Sequence, residues 1–339
     1  MFEKKALLLV VGWLVFMLSL AESLPAQTKP VELTYSHFMP ATHGHALLSQ
    51  EWAKEVEKRT NGAVKVTLFP GATLTPANQA YDGVVKGISD LAFVVLSYTA
   101  GRFPLTEVID MPLGYNSGLQ ATRLINAYYQ KFQPKEFDDT QVMYLHAHGP
   151  GILHSKKPVT KLEDLKGMKI RCTGTSAKVV SHLGGTPVAV PMTEAYDALQ
   201  KGVADGIMAP IEALKGWKFV EVIKATTLNY GSAYSIAFAV IMNKQKWNAL
   251  SKEAQAAIQK VNQEWIEKTG KAWDDFDKAG LEATKAKGNQ IIALPRAEDE
   301  RWAKLVQPIL NEYVQSMKAK GLPGDEALKF CQDWLKKNP

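Results

Sequence analysis

The sequence of 339 residues contains few cysteines and no catalytic signature. Its two cysteines, Cys172 and Cys331, are far apart in the chain, so free thiols are the expected state. A Gly-x-Ser-x-Gly elbow, a phosphate-binding loop and a His-Glu-x-x-His motif are all missing. These gaps argue against the common hydrolase and nucleotide-binding enzymes, and no cofactor is expected.

Charge of one sign is not concentrated anywhere along the chain. The net charge of +6 is spread over the whole length, and no basic block alternates with aromatic residues. Nucleic-acid readers depend on such blocks, so no nucleic-acid partner is expected. After the amino-terminal segment there is no second long apolar run, so we expect a soluble mature protein.

The amino terminus has the pattern of an export signal. Lys4 and Lys5 precede an apolar run over residues 6–18, which is typical of a secretory signal peptide. We predict that residues 1–26 are removed by cleavage after Ala26, with Ala21 as the alternative site. An uncleaved membrane anchor is disfavoured because a span needs about 20 apolar residues.

Strands alternate with helices in the first part of the mature chain. The residues Val31–Ser36, Val64–Phe69 and Asp90–Leu96 are predicted strands, separated by helices at about 45–59 and 76–85. This order predicts a parallel sheet with right-handed crossovers.

The same α/β order restarts after a predicted helix near residues 118–132. The second set of strands is predicted at Gln141–His146, Ile152–Ser155, Lys169–Arg171, Pro187–Val190 and Asp205–Met208. A helical stretch over residues 251–286 exceeds the usual length and is predicted to span two lobes. Further helices are predicted at 302–318 and 325–334. The fold class is therefore α/β and bilobal, with a ligand cleft between the carboxyl ends of the strands.

Arg171 is the strongest candidate for a binding residue. It ends a predicted strand at the cleft, and a guanidinium can hold a carboxylate through two parallel hydrogen bonds. The alternative is a salt bridge that braces the lobes.

Two other strand ends place candidates at the cleft mouth. His37 would donate a hydrogen bond to a ligand, although a structural histidine is an equal alternative, and Phe38 would stack on an aromatic ligand. Tyr98 offers a flat apolar face and a hydroxyl. Trp217, on a predicted helix after Pro210, is expected to pack rather than bind.

Two histidine pairs raise the question of a metal. His43 with His45, and His146 with His148, are two residues apart and would face the same way on a strand. No acidic residue is spaced as a third ligand, so no metal is predicted. His148 is instead placed in the ligand-binding set as a neutral donor.

A series of segments, each weak alone, occurs in a specific order. The series resembles the solute-binding proteins of tripartite ATP-independent periplasmic (TRAP) transporters, of the DctP type, over nearly all of the mature chain. Its members are Tyr35–Phe38, Thr60–Gly62, Val64–Gly71, Gly83–Asp90, Leu165–Arg171, Ala195–Gly206 and Met242–Lys244 with Trp247.

The resemblance implies a periplasmic protein, not an enzyme, that closes around an organic acid and delivers it to a membrane permease. It implies a two-pronged salt bridge from Arg171 to the ligand carboxylate. The expected first lobe comprises residues 27–148 plus 235–272, and the expected second lobe comprises 149–234 plus 273–339. A monomer is expected.

The sequence departs from the sialic-acid-binding branch of that family at three places. A second ligand arginine would fall near Gly151, a ligand asparagine at Ala209, and an aromatic residue at Met192. A pocket without those polar contacts favours an aromatic or apolar monocarboxylate over a sugar acid. The remaining predicted ligand contacts are Thr173, Met208 and Tyr234.

Two alternative functions follow from the same residues. A secreted metal-dependent hydrolase would use the histidine pairs, and a ligand-sensing protein would share the fold and the site. Turnover or bound metal would identify the first, and a receptor in place of a permease would identify the second.

Overall fold

The computed structural model describes residues 29–339, so the predicted signal peptide and its cleavage sites, Ala21 and Ala26, lie outside the described residues. The strands are β1 (Val31–His37), β2 (Val64–Phe69), β3 (Leu91–Val95), β4 (Thr140–Ala147), β5 (Ile152–Ser155), β6 (Lys169–Cys172), β7 (Thr186–Ala189), β8 (Gly206–Ala209), β9 (Ala225–Leu228), β10 (Ala237–Asn243) and β11 (Gln290–Ala293).

The helices alternate with these strands through most of the chain. They are α1 (Gly44–Arg59), α2 (Ala80–Val85), α3 (Gly118–Phe132), α4 (Thr175–His182), α5 (Met192–Gln200), α6 (Ala213–Gly216), α7 (Lys244–Asn248), α8 (Lys252–Ala286), α9 (Arg296–Val306), α10 (Pro308–Ala319) and α11 (Gly324–Lys337). The single helix predicted over residues 302–318 is wrong, because Pro308 lacks an N–H and begins a new helix.

The strands form two sheets, which define the two lobes. The first lobe is built on the five-stranded sheet β2-β1-β3-β10-β4, and the second on the six-stranded sheet β11-β9-β5-β8-β6-β7. In the first sheet β1 runs parallel to β2 and β3, as predicted, but β10 inserts antiparallel between β3 and β4. The bilobal α/β architecture predicted from the sequence is confirmed.

The chain crosses between the sheets at two adjacent segments. One segment follows β4 and the other precedes β10, and they pair through a bridge in which the Gly151 amide donates to the Tyr234 carbonyl at 2.7 Å. The Ser235 hydroxyl also donates to the His148 carbonyl at 2.7 Å. These bonds hold the crossing segments together as one strip of backbone between the lobes.

The third connection is α8, which is 35 residues long. It packs against α1, α3 and β4 of the first lobe and against α6 and β11 of the second. Its carboxylates accept hydrogen bonds from both lobes: Asp274 from the Gly118 amide at 2.6 Å, and Asp277 from the Glu212 amide at 2.7 Å. The helix therefore ties each lobe to the same axis.

The carboxyl-terminal helices divide between the lobes. Helix α9 packs on α4 and on the 230–232 turn of the second lobe, whereas α11 packs against α3 of the first lobe. The expected boundary places all of residues 273–339 in the second lobe, and α11 does not follow that division. Within residues 29–339, every helix is too short or too polar to cross a lipid bilayer.

Asp277 makes stability depend on pH. Burial raises the pKa of its carboxyl from 3.8 to about 7; the hydrogen bond from the Glu212 amide opposes this rise, and the carboxylates of Glu212 and Asp274 add to it. The folded protein therefore keeps a proton that the unfolded chain releases, so this group's contribution to the free energy of unfolding falls as pH rises from about 4 to about 7.

The substitution Asp277→Asn keeps an oxygen acceptor for the Glu212 amide but cannot ionise. Relative to the wild type, we expect equal stability near pH 4 and a gain of roughly 1–3 kcal/mol near pH 8, measured by urea unfolding. Asp275→Asn, at an exposed position on the same helix, serves as the control. Parallel pH profiles for wild type and Asp277→Asn would show that Asp277 ionises normally.

Candidate functional site

A cleft lies between the two lobes, where the carboxyl ends of several strands meet. It contains about 410 Å³ of space not filled by protein atoms, part of it open to solvent. All of the predicted ligand-binding residues except His37 line it, namely Phe38, Tyr98, His148, Arg171, Thr173, Met192, Met208, Ala209 and Tyr234. The structure thus brings residues from both lobes to one cavity.

His37 does not reach this cleft. It ends β1, its Nδ1 accepts a hydrogen bond from the Met39 amide at 3.2 Å, and its ring packs 4.5 Å from the ring of Phe93. Phe38 follows the last residue of β1 and lines the cleft, whereas the ring of His37, although stacked 6.1 Å from that of Phe38, is not part of the cleft surface. His37 is a core residue, and burial lowers its pKa well below the ordinary value.

Arg171 projects into the cleft from β6. It lies beside Val188 of β7 and Ile207 of β8, and only 3% of its surface is exposed. Its Nε donates to the Val190 carbonyl at 2.9 Å, which fixes the plane of the guanidinium. In residues 29–339, its two terminal nitrogens make no hydrogen bond or ion pair.

The arrangement around Arg171 has a chemical consequence. A buried charge is costly unless it is paired and hydrogen-bonded. The terminal nitrogens of a guanidinium present a flat pair of donors that matches a carboxylate. The cleft therefore contains a fixed cationic fork whose partner does not come from the described chain.

Aromatic and sulfur-containing side chains surround this fork. The rings of Phe38 in the first lobe and Trp217 in the second lie nearly parallel, with centroids 6.2 Å apart and planes 19° apart. Met192, Met208 and Phe238 add further apolar surface. The cleft is thus suited to a flat apolar group joined to an anionic end.

A hydrogen bond between Met192 and Tyr98 joins the two lobes across the cleft. The Met192 amide, at the start of α5 in the second lobe, donates to the hydroxyl of Tyr98 in the first lobe at 2.8 Å. The Tyr98 ring faces the same cleft. One residue therefore contributes both to the cavity surface and to closure.

Gly151 leaves room for the ring of Tyr234 at the surface of the cleft. A Cβ atom there would lie 2.4 Å from Cε1 of Tyr234, whose ring lines the cleft and whose hydroxyl donates to the Met208 carbonyl at 2.9 Å. A second arginine at position 151 would displace that ring. The Tyr234 ring thus occupies space that a larger side chain would need.

His148 supplies a neutral polar edge to the cleft. Burial lowers its pKa to about 4, so the imidazole is uncharged near neutral pH. Its Nδ1 lies within hydrogen-bonding distance of the Gly149 carbonyl, which makes Nδ1–H the donor there. In the described chain Nε2 is buried without a partner and is left as an acceptor.

The other three histidines of the two pairs, His43, His45 and His146, have structural contacts. His43 caps α1, its Nδ1 accepting from the His45 amide at 3.3 Å, and His146 accepts from Trp273 Nε1 at 3.1 Å. His45 packs against Trp273, with ring centroids 3.9 Å apart. In residues 29–339, no group of three side chains is arranged to hold a metal ion.

Eight further residues line the cleft that were not among the predicted ligand contacts, and one of them, Trp217, was expected to pack. These are Met39, Val95, Pro210, Glu212, Trp217, Ile236, Phe238 and Trp273. Trp273 lies near the middle of α8, so the prediction that this helix spans the lobes was a usable signal for it. Glu212 and Trp217 belong to a short helical region after β8, where no periodic pattern marks an inward face.

The comparisons with known proteins agree with this geometry. The family model for bacterial extracellular solute-binding protein family 7 (DctP) matches residues 35–316. The C4-dicarboxylate-binding periplasmic protein DctP of Rhodobacter capsulatus is 28% identical over 324 residues, covering 91% of this chain and 94% of that protein.

Two solved structures are also similar. A TRAP solute-binding protein of Rhodoferax ferrireducens in complex with benzoate has 29% identity and a TM-score of 0.86, covering 91% of this chain and 98% of that one. A TRAP periplasmic solute-binding protein of Bordetella bronchiseptica with bound mandelate has 31% identity and a TM-score of 0.85. The match covers 91% of this chain and 100% of that chain.

Replacing Arg171 tests whether the guanidinium lacks an internal partner. We expect Arg171→Met, which has a similar length and no charge, to raise the free energy of unfolding of the ligand-free protein by about 1–3 kcal/mol. The protein is unfolded in urea and refolded first, to remove any acid bound during purification, and stability is then measured by urea unfolding.

Arg123→Met is the matched control, because Arg123 forms an exposed ion pair with Glu267. We expect that change to alter stability by less than about 1 kcal/mol. An Arg171→Met protein less stable than the wild type would mean that the protein itself satisfies the guanidinium.

Proposed function

Because this chain belongs to family 7 of the bacterial extracellular solute-binding proteins, the DctP family, we propose that its cleft binds an aromatic monocarboxylate through Arg171. The chain is a solute-binding protein of the TRAP type that captures an organic carboxylate. The comparisons lend no support to a secreted metal-dependent hydrolase or to a sensor, and we infer that the protein binds its solute without chemical turnover.

One observation carries the proposal. The Arg171 guanidinium is buried in the cleft, and within residues 29–339 its terminal nitrogens are unpaired. A ligand carboxylate satisfies both nitrogens, and the low-dielectric cleft strengthens that pair relative to the same pair in water. The free energy so gained favours the closed, liganded state.

The apolar surface of the cleft selects the rest of the ligand. Phe38, Trp217 and Phe238 present rings, and Met192 and Met208 present adaptable thioethers. A sugar acid would have to bury several hydroxyls there, and each unsatisfied hydroxyl costs about 1–3 kcal/mol. An aryl group loses no hydrogen bonds on entering and gains apolar contact, so an aromatic acid is favoured.

Closure of the lobes completes the site. Tyr98 bonds to the Met192 amide across the cleft, and the stacked pair of Phe38 and Trp217 joins the same two lobes. Both contacts form only when the lobes are together. A ligand that contacts both lobes therefore shifts the population toward the closed form by its differential affinity for that form.

A comparison of acids tests this proposal. We expect benzoate and mandelate to raise the melting temperature more than succinate or glucuronate at equal concentration, because a ligand stabilises the native state according to its concentration relative to Kd. Calorimetry on Arg171→Met should show an affinity for the better aromatic acid reduced by at least about 100-fold, since losing one partner of a buried pair costs about 3–5 kcal/mol.

Lys169→Met is the control for net charge. Lys169 lies on the same strand but is exposed, so its removal should change affinity by less than about 2-fold. A preference for glucuronate or succinate would contradict the interpretation of the cleft surface. Unchanged affinity in Arg171→Met would contradict the assignment of the carboxylate site.

The family is extracytoplasmic, and we propose a periplasmic location reached through a signal peptide cleaved after Ala26. We also propose that the protein acts as a monomer and delivers its ligand to TRAP membrane permease subunits. The two-lobed chain contains every residue of the proposed site, so binding needs no second copy.

The cleavage site is checked by intact mass spectrometry of protein exported from a bacterial host. We expect the mature chain to begin at Gln27, because signal peptidase accepts small residues before the cut. Ala26→Leu removes that small residue and should move the cut to the position after Ala21. A wild-type chain that begins at Glu22 would establish Ala21 as the natural site.

A further inference from the structure

A second buried charge lines the same cleft as Arg171. Glu212 follows β8 by three residues, is 2% exposed, and contributes to the cavity surface. Its Oε2 lies 3.3 Å from Nε2 of His43 in the opposite lobe. In the described chain its other oxygen makes no hydrogen bond. A buried carboxylate oxygen is therefore available to accept a bond from a ligand.

Beside this carboxylate is a donor without a partner. Trp217 lines the cleft, its ring centroid is 5.5 Å from that of His43, and its Nε1–H is buried without an acceptor within residues 29–339. Buried indole N–H groups usually have a hydrogen-bond partner. The cleft thus holds an unused acceptor and an unused donor next to the same histidine.

Gly216 keeps this group compact. A Cβ atom at that position would lie 2.5 Å from Glu212 Oε2 and 2.6 Å from His43 Nε2, which is too close for any larger residue without a shift. The absence of a side chain at residue 216, the last of α6, therefore leaves the space in which Glu212 and His43 approach each other, and Trp217 follows directly. We refer to Glu212, His43 and Trp217 as the polar triad.

Glu212 and Trp217 line the same cleft as Arg171, and His43 contacts them from the first lobe without lining the cleft. Arg171 pairs with Ile207 within β8, whereas Glu212 lies beyond the end of that strand. No ion pair within 4.0 Å joins Arg171 to Glu212 in the described residues. Two buried groups of opposite charge thus face one cavity without meeting.

From this geometry, and resting on the proposed function, we propose that the preferred ligand is an aromatic monocarboxylate that carries a hydroxyl group remote from its carboxylate. The hydroxyl hydrogen is donated to Glu212, and the hydroxyl oxygen accepts from Trp217 Nε1–H. A hydroxyl can do both at once, which satisfies the acceptor and the donor together. Arg171 holds the carboxylate at the other end.

The same triad excludes a second carboxylate. A negatively charged group beside Glu212 would place two like charges in a desolvated space, and like-charge contacts of this kind are costly. A benzene dicarboxylate should therefore bind more weakly than benzoate, although it can also engage Arg171. Glu212 thus acts as a specificity-determining residue rather than as a general source of affinity.

The experiment compares matched acids on the full mature protein by isothermal titration calorimetry. The probes are benzoate, 3-hydroxybenzoate, 4-hydroxybenzoate and benzene-1,3-dicarboxylate. In the wild type we expect the better hydroxybenzoate to bind about 10-fold or more tightly than benzoate, because a hydrogen bond to a charged group contributes strongly in a buried site. We expect the dicarboxylate to bind least.

The variants Glu212→Gln and Trp217→Phe test the roles of the individual groups. In both we expect the affinity ratio of hydroxybenzoate to benzoate to fall below about 3-fold, and in Glu212→Gln the dicarboxylate should improve relative to benzoate. Glu282→Gln, an exposed change on α8, should leave these ratios as in the wild type. Thermal unfolding confirms that each variant is folded, and the ratios are read from folded protein.

The possible outcomes separate the two proposals. If benzoate and the hydroxybenzoates bind the wild type equally, or if Glu212→Gln weakens all four acids by the same factor, Glu212 is only a contact between the lobes and this inference is wrong. If none of the acids binds the wild type, the proposed function itself fails.

Discussion

The structure depends on one interaction that the chain leaves incomplete, the pairing of the Arg171 guanidinium. Folding places this cation where only 3% of it is exposed and supplies one carbonyl for its Nε. Burial without a partner is unfavourable, and within residues 29–339 no carboxylate oxygen lies within 4.0 Å of this guanidinium. The ligand-free protein therefore carries a local cost that an incoming carboxylate removes, which couples stability to binding.

The rest of the fold positions this cation and regulates access to it. The two crossing segments and α8 connect the lobes, and Asp274 and Asp277 bind amides in the first and second lobe respectively. Because the crossing segments and α8 connect the lobes covalently, we expect the lobes to move about these three connections. The bond between Tyr98 and the Met192 amide joins the lobes across the cleft, and we expect it to break when the lobes open. Opening would then cost one hydrogen bond at the cleft and leave the covalent connections in place.

The sequence predicted the features that depend on local pattern. The bounds of α3 and α8, the parallel start of the first sheet and the place of Arg171 follow from periodicity and strand ends. Pairings between strands that are far apart in sequence were not predictable in the same way. One example is β10, which enters the first sheet between β3 and β4. His37 was assigned to the cleft together with its neighbour Phe38, but its ring packs between those of Phe38 and Phe93 and does not line the cleft. Glu212 and Trp217 flank the one-turn helix α6, which is too short to reveal an inward face.

The positions of Arg171 and Glu212 also explain why one cleft can combine capture with discrimination. Had the two groups met, they would have neutralised each other and the cavity would have needed no polar ligand. Because no ion pair within 4.0 Å joins them in the described residues, the ligand that we propose is anionic at one end, for Arg171, and donates a hydrogen bond to Glu212 at the other. Glu212 is also next to His43 of the opposite lobe, so the carboxylate that the proposed hydroxyl would contact takes part in a contact between the lobes as well. Recognition of that end of the ligand and closure of the lobes therefore involve the same side chain.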